Sequence, residues 1–240
     1  QTIYDTIRFY TMSVAEYLEE YFETDVIKAA LSGSGIIGSG LGVYSPGTAY
    51  VLLHHYMGEV DGSIGSWGYA RGGMGAISNA LAGAFQDHDG EIKKESEVSQ
   101  IIVKNGRAKG VVLANGDEYY AKNVVSNLDV KRTYQKLFDP KDLSKKILKQ
   151  VDNFKIRGSS GKLNIALDGL PEFPAMGEKN PLIYADMHFI DSLERMERAY
   201  DDWKNGRWSR DPYTDVLIPT MTDPTMSPPG KHYMSVFVQY

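Results

Sequence analysis

The sequence predicts an α+β protein in which a helix leads into a small antiparallel β-meander, with helices and strands mixed on both sides of it. Two pairs, Asn105-Gly106 and Asn115-Gly116, separate short apolar runs. Asn-Gly between such runs is typical of tight hairpins, because both residues accept positive φ. Just before them, Met74, Ile77 and Leu81 recur at helical spacing, which predicts one amphipathic helix.

The part of the chain before Gly72 is predicted to be mainly helical. Ser13 and Glu16 fit a capping box, in which each side chain pairs with the backbone of the other residue. A short helix is expected from Asp25 to Leu31, and a glycine-rich loop from Gly33 to Gly42. Ser45-Pro46 should open the next helix, since proline is favoured in a first turn. A loop from Gly58 to Gly72 would follow.

The middle of the chain is the most regular in pattern. A helix is predicted from Gly73 to Phe85. Apolar runs between the turn residues then predict a short strand around Ile92 and four further strands, which are Val98 to Lys104, Arg107 to Ala114, Asp117 to Ala121, and Val124 to Ser126.

Beyond Asn127 the sequence predicts further helices and strands. Val130 to Val151 is charged and helical in pattern, with a break at Asp139-Pro140. The remaining elements are a strand from Lys162 to Leu167, a loop from Pro171 to Pro181, a strand from Ile183 to Phe189, a helix from Ser192 to Lys204 capped by Ser192 or Asp191, and a last strand from Tyr233 to Tyr240.

Composition excludes several classes of function. The net charge of -5 leaves no basic excess for nucleic acid. The chain has no cysteine, which removes disulfides and cysteine-based zinc sites and fits a reducing compartment, so we expect a cytoplasmic protein. None of the five histidines stands in a metal-binding motif, and we expect no metal site. The chain begins and ends within patterned elements, so we expect a fragment of a longer polypeptide.

The segment Gly33-Ser34-Gly35-Ile36-Ile37-Gly38 matches the dinucleotide-binding pattern G-x-G-x-x-G. That motif works only where a strand precedes the loop and a helix follows it, because the helix N-terminus faces the pyrophosphate. Here a helical pattern precedes the glycines. We therefore interpret this segment as a turn rather than as a cofactor site.

Two further groups of residues are candidates for a site. Gly72 and Gly73 precede a helix, where glycines let a ligand approach the backbone closely. Aromatic residues between positions 44 and 69, among them Tyr44, Trp67 and Tyr69, could line an apolar ligand site, although packing alone is the commoner cause of such a cluster. His232, just ahead of the last strand, is the one histidine that we include as a candidate.

The helix and meander, together with their flanks, resemble the phytoene desaturase and carotenoid isomerase-related FAD oxidoreductases. Within that family, the resemblance is closest to the branch called pyridine nucleotide-disulfide oxidoreductase domain-containing protein 2. The segments that carry it are Gly72-Gly73-Met74-Gly75, Gly106-Arg107-Ala108-Lys109-Gly110-Val111, Asn123-Val124-Val125-Ser126-Asn127, Pro46-Gly47-Thr48-Ala49, Gly65-Ser66-Trp67-Gly68-Tyr69, Asp223-Pro224-Thr225 and Pro228-Pro229-Gly230-Lys231-His232.

The resemblance implies a flavin amine oxidase-like fold with a discontinuous FAD domain. Residues 1–71 and 129–240 would be two parts of the substrate domain, and residues 72–128 would be the helix and meander of the FAD domain. By the same resemblance, Gly72, Gly73, Val98, Ser126 and Asn127 would lie near the cofactor. Tyr44, Trp67, Tyr69 and His232 are the candidates for contact with the substrate.

The implied function is oxidation or isomerisation of a small apolar substrate by FAD, with no side chain assigned as catalytic. Since the N-terminal glycine fingerprint and the C-terminal flavin motif of that family do not occur in the sequence, we expect the isolated chain to retain no FAD and to be inactive. The alternative is a non-catalytic ligand-binding or interaction module. Peripheral membrane contact and a homodimer that covers exposed apolar surface are further expectations.

Overall fold

The computed structural model describes residues 2–174 and 181–240, and the chain folds into two compact units. One unit contains residues 1–80 and 158–240, and the other contains residues 81–157. The first division falls inside the helix that precedes the meander. Helices and strands are mixed in the chain, as the α+β prediction requires. No described helix is both long and apolar enough to span a bilayer.

The larger unit packs helices against one face of a four-stranded antiparallel sheet of order β6-β9-β8-β7. Its helices are α1 (Thr2–Thr11), α2 (Val14–Glu19), α3 (Asp25–Ile36), α4 (Thr48–Tyr56) and α7 (Leu193–Lys204); its strands are the small hairpin β1 (Glu59–Val60) and β2 (Ser63–Ile64), and the sheet strands β6 (Ser160–Leu167), β7 (Met187–His188), β8 (Tyr213–Leu217) and β9 (His232–Gln239).

Two apolar clusters lie on opposite faces of that sheet, because side chains alternate along a strand. Tyr213 of β8 belongs to the main core, where it packs with residues of α2, α3 and α7 such as Val14 and Met196. Val216, on the other face, packs with Met187 in a smaller cluster. The sheet is therefore buried on both faces at β8.

The smaller unit contains the predicted meander. The chain enters this unit within α5 (Met74–Asp87). An antiparallel sheet follows, whose strands in chain order are β3 (Val98–Lys104), β4 (Arg107–Leu113) and β5 (Glu118–Tyr120). After it come a π-helical turn at Arg132–Lys136, a 3₁₀ turn at Pro140–Asp142 and the helix α6 (Lys145–Asn153). Both residues of the first predicted turn have positive φ, 54° at Asn105 and 71° at Gly106. The predicted helix and the three meander strands joined by the two Asn-Gly turns are confirmed.

The capping box is also confirmed. The Ser13 hydroxyl accepts a hydrogen bond from the Glu16 N–H at 3.1 Å, and the Glu16 carboxylate accepts one from the Ser13 N–H at 2.8 Å. Ser192, rather than Asp191, caps α7, because its hydroxyl accepts the Arg195 N–H at 3.4 Å. Local polar chemistry fixes these helix starts as the sequence predicts.

The predicted glycine loop from Gly33 to Gly42 is wrong in its first part, since α3 continues to Ile36. A Cβ at Gly33 would lie 2.8 Å from Cζ of Tyr213, and one at Gly35 would lie 2.8 Å from Cβ of Val14. These glycines thus allow close packing of α3 against its neighbours, and their low helix propensity is overridden. The helix ends before Gly38, whose φ is +71°.

The helix predicted to open at Ser45-Pro46 begins instead at Thr48, with Gly47 at φ +87° before it. Ser45 serves another purpose: its hydroxyl accepts the Gly42 N–H at 3.0 Å, and its carbonyl accepts the Thr48 hydroxyl at 2.7 Å. Ser45 is therefore part of a turn that leads into the helix, not its cap.

Three strand predictions are wrong. Ile92 and the segment 124–126 are not strands; Val125 is 91% exposed, so no packed sheet face holds it. Within 183–189 only Met187–His188 is a strand, since Pro181–Tyr184 forms a 3₁₀ turn. The strand β8 and the hairpin of β1 and β2 are not predicted from the sequence at all. Of the predicted loop 171–181, residues 175–180 lie outside the described residues.

Candidate functional site

An open groove of about 590 Å³ lies on the larger unit, along the ends of β6 and β9. His232, one of the candidate residues from the sequence, lines it. The other lining residues combine apolar side chains with a few polar groups: Asn164, Ala166, Leu167, Asp168, Met226, Ser227, Pro228, Lys231 and Tyr233. A concave surface of this composition is typical of a small-molecule site.

The polar groups of the groove are held by one another. Nδ1 of His232 lies 3.0 Å from the hydroxyl of Thr220, a residue only 4% exposed. The Tyr233 hydroxyl donates to Oδ1 of Asn164 at 2.6 Å, and Nζ of Lys231 pairs with Asp168 at 2.7 Å. The groove therefore presents fixed polar groups beside its apolar wall, an arrangement that can orient a ligand.

The double glycine reaches this groove through the turn at residues 223–226. Gly72 and Gly73 have φ of 82° and 81°, values that favour glycine. The Gly72 N–H donates to the Asp223 carboxylate at 2.6 Å, and a Cβ at Gly73 would lie 3.0 Å from Cε of Met226, which lines the groove. Two stretches predicted separately from the sequence thus meet here.

Asp223 is held ionised at this turn. Hydrogen bonds from the Thr225 hydroxyl and from the Gly72 N–H lower the pKa of the Asp223 carboxyl. The Thr225 hydroxyl lies 2.6 Å from Oδ1, and the Thr225 N–H lies 3.1 Å from the same atom. The carboxylate thereby fixes the backbone conformation of the double glycine.

The aromatic candidates lie elsewhere on the larger unit. The side chain of Tyr44 is exposed, and the backbone N–H of Tyr44 donates to the Glu197 carboxylate at 3.3 Å. Trp67 stacks on His55 with 5.8 Å between ring centroids and 2° between planes. Burial, followed by the charges of Asp186 and Asp215, raises the pKa of the Tyr69 phenol. The described part of the structure does not bring these three residues into the groove of His232.

The remaining cofactor candidates belong to the smaller unit. Val98 begins β3 and pairs with Leu113 across the meander. The hydroxyl of Ser126 lies 2.9 Å from that of Thr133 and accepts the Leu128 N–H at 3.3 Å. Asn127 is exposed. Ser126 and Asn127 follow the meander in an irregular segment rather than at a strand end, and their contact with a cofactor stays a prediction.

A cluster that the sequence analysis does not find lies at the edge of the four-stranded sheet. One potential ligand atom from each of Asp186, His188 and Asp215 lies within 4.8 Å of the others. His188 and Asp215 are directly opposite each other on β7 and β8. Nε2 of His188 lies 3.3 Å from Oδ2 of Asp186, and Asp215 is 9% exposed. We call these three residues the Asp-His-Asp cluster.

The charges of the Asp-His-Asp cluster are strongly coupled. Burial, together with the hydrogen bond and negative charge of Asp186, raises the pKa of Asp215 to about 7. Burial opposes ionisation of Asp186 as well, but hydrogen bonds from His188 and Asp215 outweigh it and lower the pKa of Asp186. The hydrogen bond to Asp186 also raises the pKa of His188. The Asp215 carboxyl is thus a buried group able to exchange a proton near neutral pH.

Only a weak sequence signal marks this cluster. Asp215 interrupts the apolar run that ends at Ile218, and an acidic residue in such a run is unusual. Asp186 and His188 are two residues apart, a spacing that any surface strand can show. The pairing of β7 with β8 is what joins them, and β8 is not predicted.

Comparison with known proteins gives consistent results. The family model of the flavin containing amine oxidoreductases matches residues 10–239. Pyridine nucleotide-disulfide oxidoreductase domain-containing protein 2 of Mus musculus is 33% identical over 96% of this chain and 41% of its own length. The chloroplastic prolycopene isomerase of Daucus carota is 35% identical over 78% of this chain and 28% of its own length.

A solved structure shows the same fold. The crystal structure of an oxidoreductase from Methanosarcina mazei has a TM-score of 0.63 and 22% identity, covering 95% of this chain and 47% of that protein. The chain therefore spans less than half the length of each of these three proteins.

Proposed function

Since the chain belongs to the family of flavin containing amine oxidoreductases, we propose that it forms the substrate domain and the helix-and-meander part of an FAD-dependent oxidoreductase for a small apolar substrate. Residues 1–71 and 129–240 are then the substrate domain, and residues 72–128 belong to the FAD domain. The family uses FAD, which supplies the redox chemistry while the protein binds and orients the reactants.

One observation above all supports the position of the site: the double glycine and His232 share one region. Gly72 and Gly73 leave the backbone at the start of α5 uncovered by side chains of their own, and Met226 connects them to the groove. A flat ring system can approach a glycine backbone closely. Gly72 and Gly73 would hold the cofactor beside the groove. Val98, Ser126 and Asn127 stay proposed cofactor contacts on the ground of the family resemblance alone.

The apolar nature of the substrate is supported by the wall of the groove and by one relative. Leu167, Met226 and Pro228 supply apolar surface. The carrot relative is named for prolycopene, a hydrocarbon polyene. A conjugated polyene is accordingly the class of ligand that we propose for the groove.

The isolated chain is proposed to retain little FAD and to be inactive. Within the described residues, the G-x-G-x-x-G segment begins inside α3, with Gly33 and Gly35 packed against other side chains. The segment lies at the C-terminal end of α3, so it does not open a helix whose N-terminal amides could hold a pyrophosphate. The chain also spans 41% of its mouse relative, so the other binding segments of the family would have to come from beyond it.

Visible absorption tests whether the isolated chain retains FAD, and ligand titration tests whether the groove binds a polyene. The purified chain should be colourless and release no flavin in acid, whereas the full product of the encoding gene should carry FAD. Polyene binding, followed by quenching of tryptophan fluorescence with a retinyl ester, should be weakened by Leu167→Asp. Leu163→Asp on the same strand and the same face, outside the groove, is the matched control.

The two parts fail separately. A tight stoichiometric FAD complex of the chain alone would refute the proposal that further segments are needed. Equal quenching of the wild type and both variants would refute the groove as the polyene site. The Leu167→Asp carboxylate would lose water on contact with an apolar ligand, so it should weaken binding there.

A further inference from the structure

The Asp-His-Asp cluster has the composition and spacing of a metal site. Ligand atoms from Asp186, His188 and Asp215 lie within 4.8 Å of one another. The 3.3 Å between Nε2 of His188 and Oδ2 of Asp186 is close to the edge of about 3.4 Å in a tetrahedral site with bonds of about 2.1 Å. The three ligand atoms lie within 4.8 Å of one another, so a cation between them would draw the wider pairs closer together.

The imidazole of His188 is fixed from behind. Its Nδ1 lies 3.0 Å from the carbonyl oxygen of Ala30 in α3, and since a carbonyl only accepts, Nδ1 carries the hydrogen. The ring also contacts the edge of buried Tyr213, with 5.7 Å between centroids. Nε2 is thereby directed towards the carboxylates. Metal-binding histidines show the same support, a hydrogen bond from the other ring nitrogen to an acceptor outside the site.

Asp215 provides a second, independent indication. The residue is only 9% exposed, and one of its carboxylate oxygens lies within 4.8 Å of the ligand atoms of Asp186 and His188. Two carboxyl groups offer only acceptors when ionised, so a proton or a cation must lie between them. A divalent cation satisfies both carboxylates at once and removes the repulsion that burial makes severe.

We propose that Asp186, His188 and Asp215 bind a divalent transition-metal cation, with Zn²⁺ as the expected occupant. Imidazole nitrogen with carboxylate oxygens suits Zn²⁺ better than Ca²⁺ or Mg²⁺, which prefer oxygen ligands alone. Three protein ligands leave a fourth position for water or a ligand atom. That position would lie on the side of Asp186, whose side chain is 47% exposed.

The test uses the chain itself, freed of metal with a chelator. Isothermal titration with ZnCl₂ should show one site, and Co²⁺ should give visible absorption bands of a four-coordinate centre with nitrogen and oxygen ligands. Asp186→Asn and Asp215→Asn should each weaken binding by at least about tenfold. Asp168→Asn and His54→Gln, which change an exposed carboxylate and an exposed imidazole outside the cluster, should bind like the wild type.

The two variants of the cluster distinguish a loss of metal binding from a loss of folding. Asp186 is half-exposed, so Asp186→Asn should keep the circular dichroism spectrum of the wild type even where Asp215→Asn does not. Absence of Zn²⁺ and Co²⁺ binding by the wild type would overturn the proposal and leave a shared proton in the cluster. Equal affinity in Asp186→Asn and wild type would overturn it as well, since binding would then be adventitious.

Discussion

Replacing Gly35 with alanine tests whether the glycines of α3 are present for close packing. A Cβ at this position would lie 2.8 Å from both Cβ and Cγ2 of Val14, and 3.0 Å from its Cγ1. Carbon atoms in favourable contact are about 3.5–4.0 Å apart. Accommodating the new methyl group therefore requires α2 and α3 to separate by about 1 Å.

The expected cost follows from two opposing terms. Overpacking of a core costs about 1–3 kcal/mol, and the upper end applies here because Val14 is β-branched and stiff about χ1. Its N–H is also tied to the Thr48 hydroxyl at 2.8 Å. Alanine gains about 1 kcal/mol over glycine within a helix. The net destabilisation should be about 2 kcal/mol, which lowers Tm by about 4–8 °C for a chain of this size.

Thermal unfolding followed by two signals measures the effect. Far-UV circular dichroism follows both units, whereas tryptophan fluorescence follows the unit that contains Gly35, because all three tryptophans, Trp67, Trp203 and Trp208, lie in it. The matched control is Gly83→Ala in α5, where no described atom outside the helix's own backbone and the adjacent residues lies within 4 Å of the added methyl group. That variant should be slightly more stable than the wild type.

A second substitution isolates the contact. In the double variant Val14→Ala/Gly35→Ala the contacts with Cγ1 and Cγ2 of Val14 are removed and only the contact with Cβ remains. The clash is therefore reduced, and the destabilisation should be smaller than the sum of the single effects by at least about 0.5 kcal/mol. A Gly35→Ala variant as stable as the wild type, or strict additivity in the double variant, would refute the packing argument.

Two further predictions concern buried polar groups. Arg207 and Arg210 bind the nearly buried Asp202 carboxylate and, with Arg207 the larger contribution, lower the pKa of Asp202 from 3.8 to about 2. The ionised Asp202 carboxylate stabilises the fold fully above its unfolded-state pKa, and this stabilisation is lost as pH falls from about 4 towards about 2. Urea unfolding at several pH values should show this loss in the wild type. In Asp202→Asn the free energy of unfolding should fall less steeply over the same range. Gln239, fully buried, accepts the Gly38 N–H and donates to the Ile36 carbonyl, each at 2.9 Å. Gln239→Met keeps the size but removes the acceptor of the Gly38 N–H and one of the donors to the Ile36 carbonyl, which still accepts from the Ser39 N–H and hydroxyl. Urea unfolding should therefore show a loss of about 1–3 kcal/mol, and unchanged stability would contradict this account.

The elements that the sequence predicts well are those decided by neighbouring residues. Asn105 and Gly106 form a tight turn through their own backbone preferences, and Ser13 with Glu16 completes a capping box within four residues. The periodicity of Met74, Ile77 and Leu81 similarly requires only the helix itself. Local chemistry is sufficient in each case, and no distant contact competes with it.

The elements that the sequence does not predict depend on distant contacts. The low helix propensity of Gly33 and Gly35 indicates a loop. Both nevertheless lie in a helix, because the side chains of Tyr213 and Val14 leave no room for a Cβ at these two positions. The Asp-His-Asp cluster likewise exists only because β7 pairs with β8. Of the candidate site residues, Gly72, Gly73 and His232 meet through residues 223–226, a contact that spacing along the chain does not reveal.

The two candidate sites of the larger unit lie at different ends of β9. The groove lies at the β6–β9 edge with His232 at the start of β9, whereas the cluster lies on β7 and β8, across from Phe237 of β9. Tyr233 of the groove and Phe237 are four positions apart and share a face, and His232 lies one position further on the other face; the two ends of this stretch are about 14–17 Å apart along the strand. A cation held by Asp215 thus cannot reach a ligand atom bound beside His232. Metal binding and polyene binding should therefore respond to different substitutions, because the two sites lie at different ends of β9.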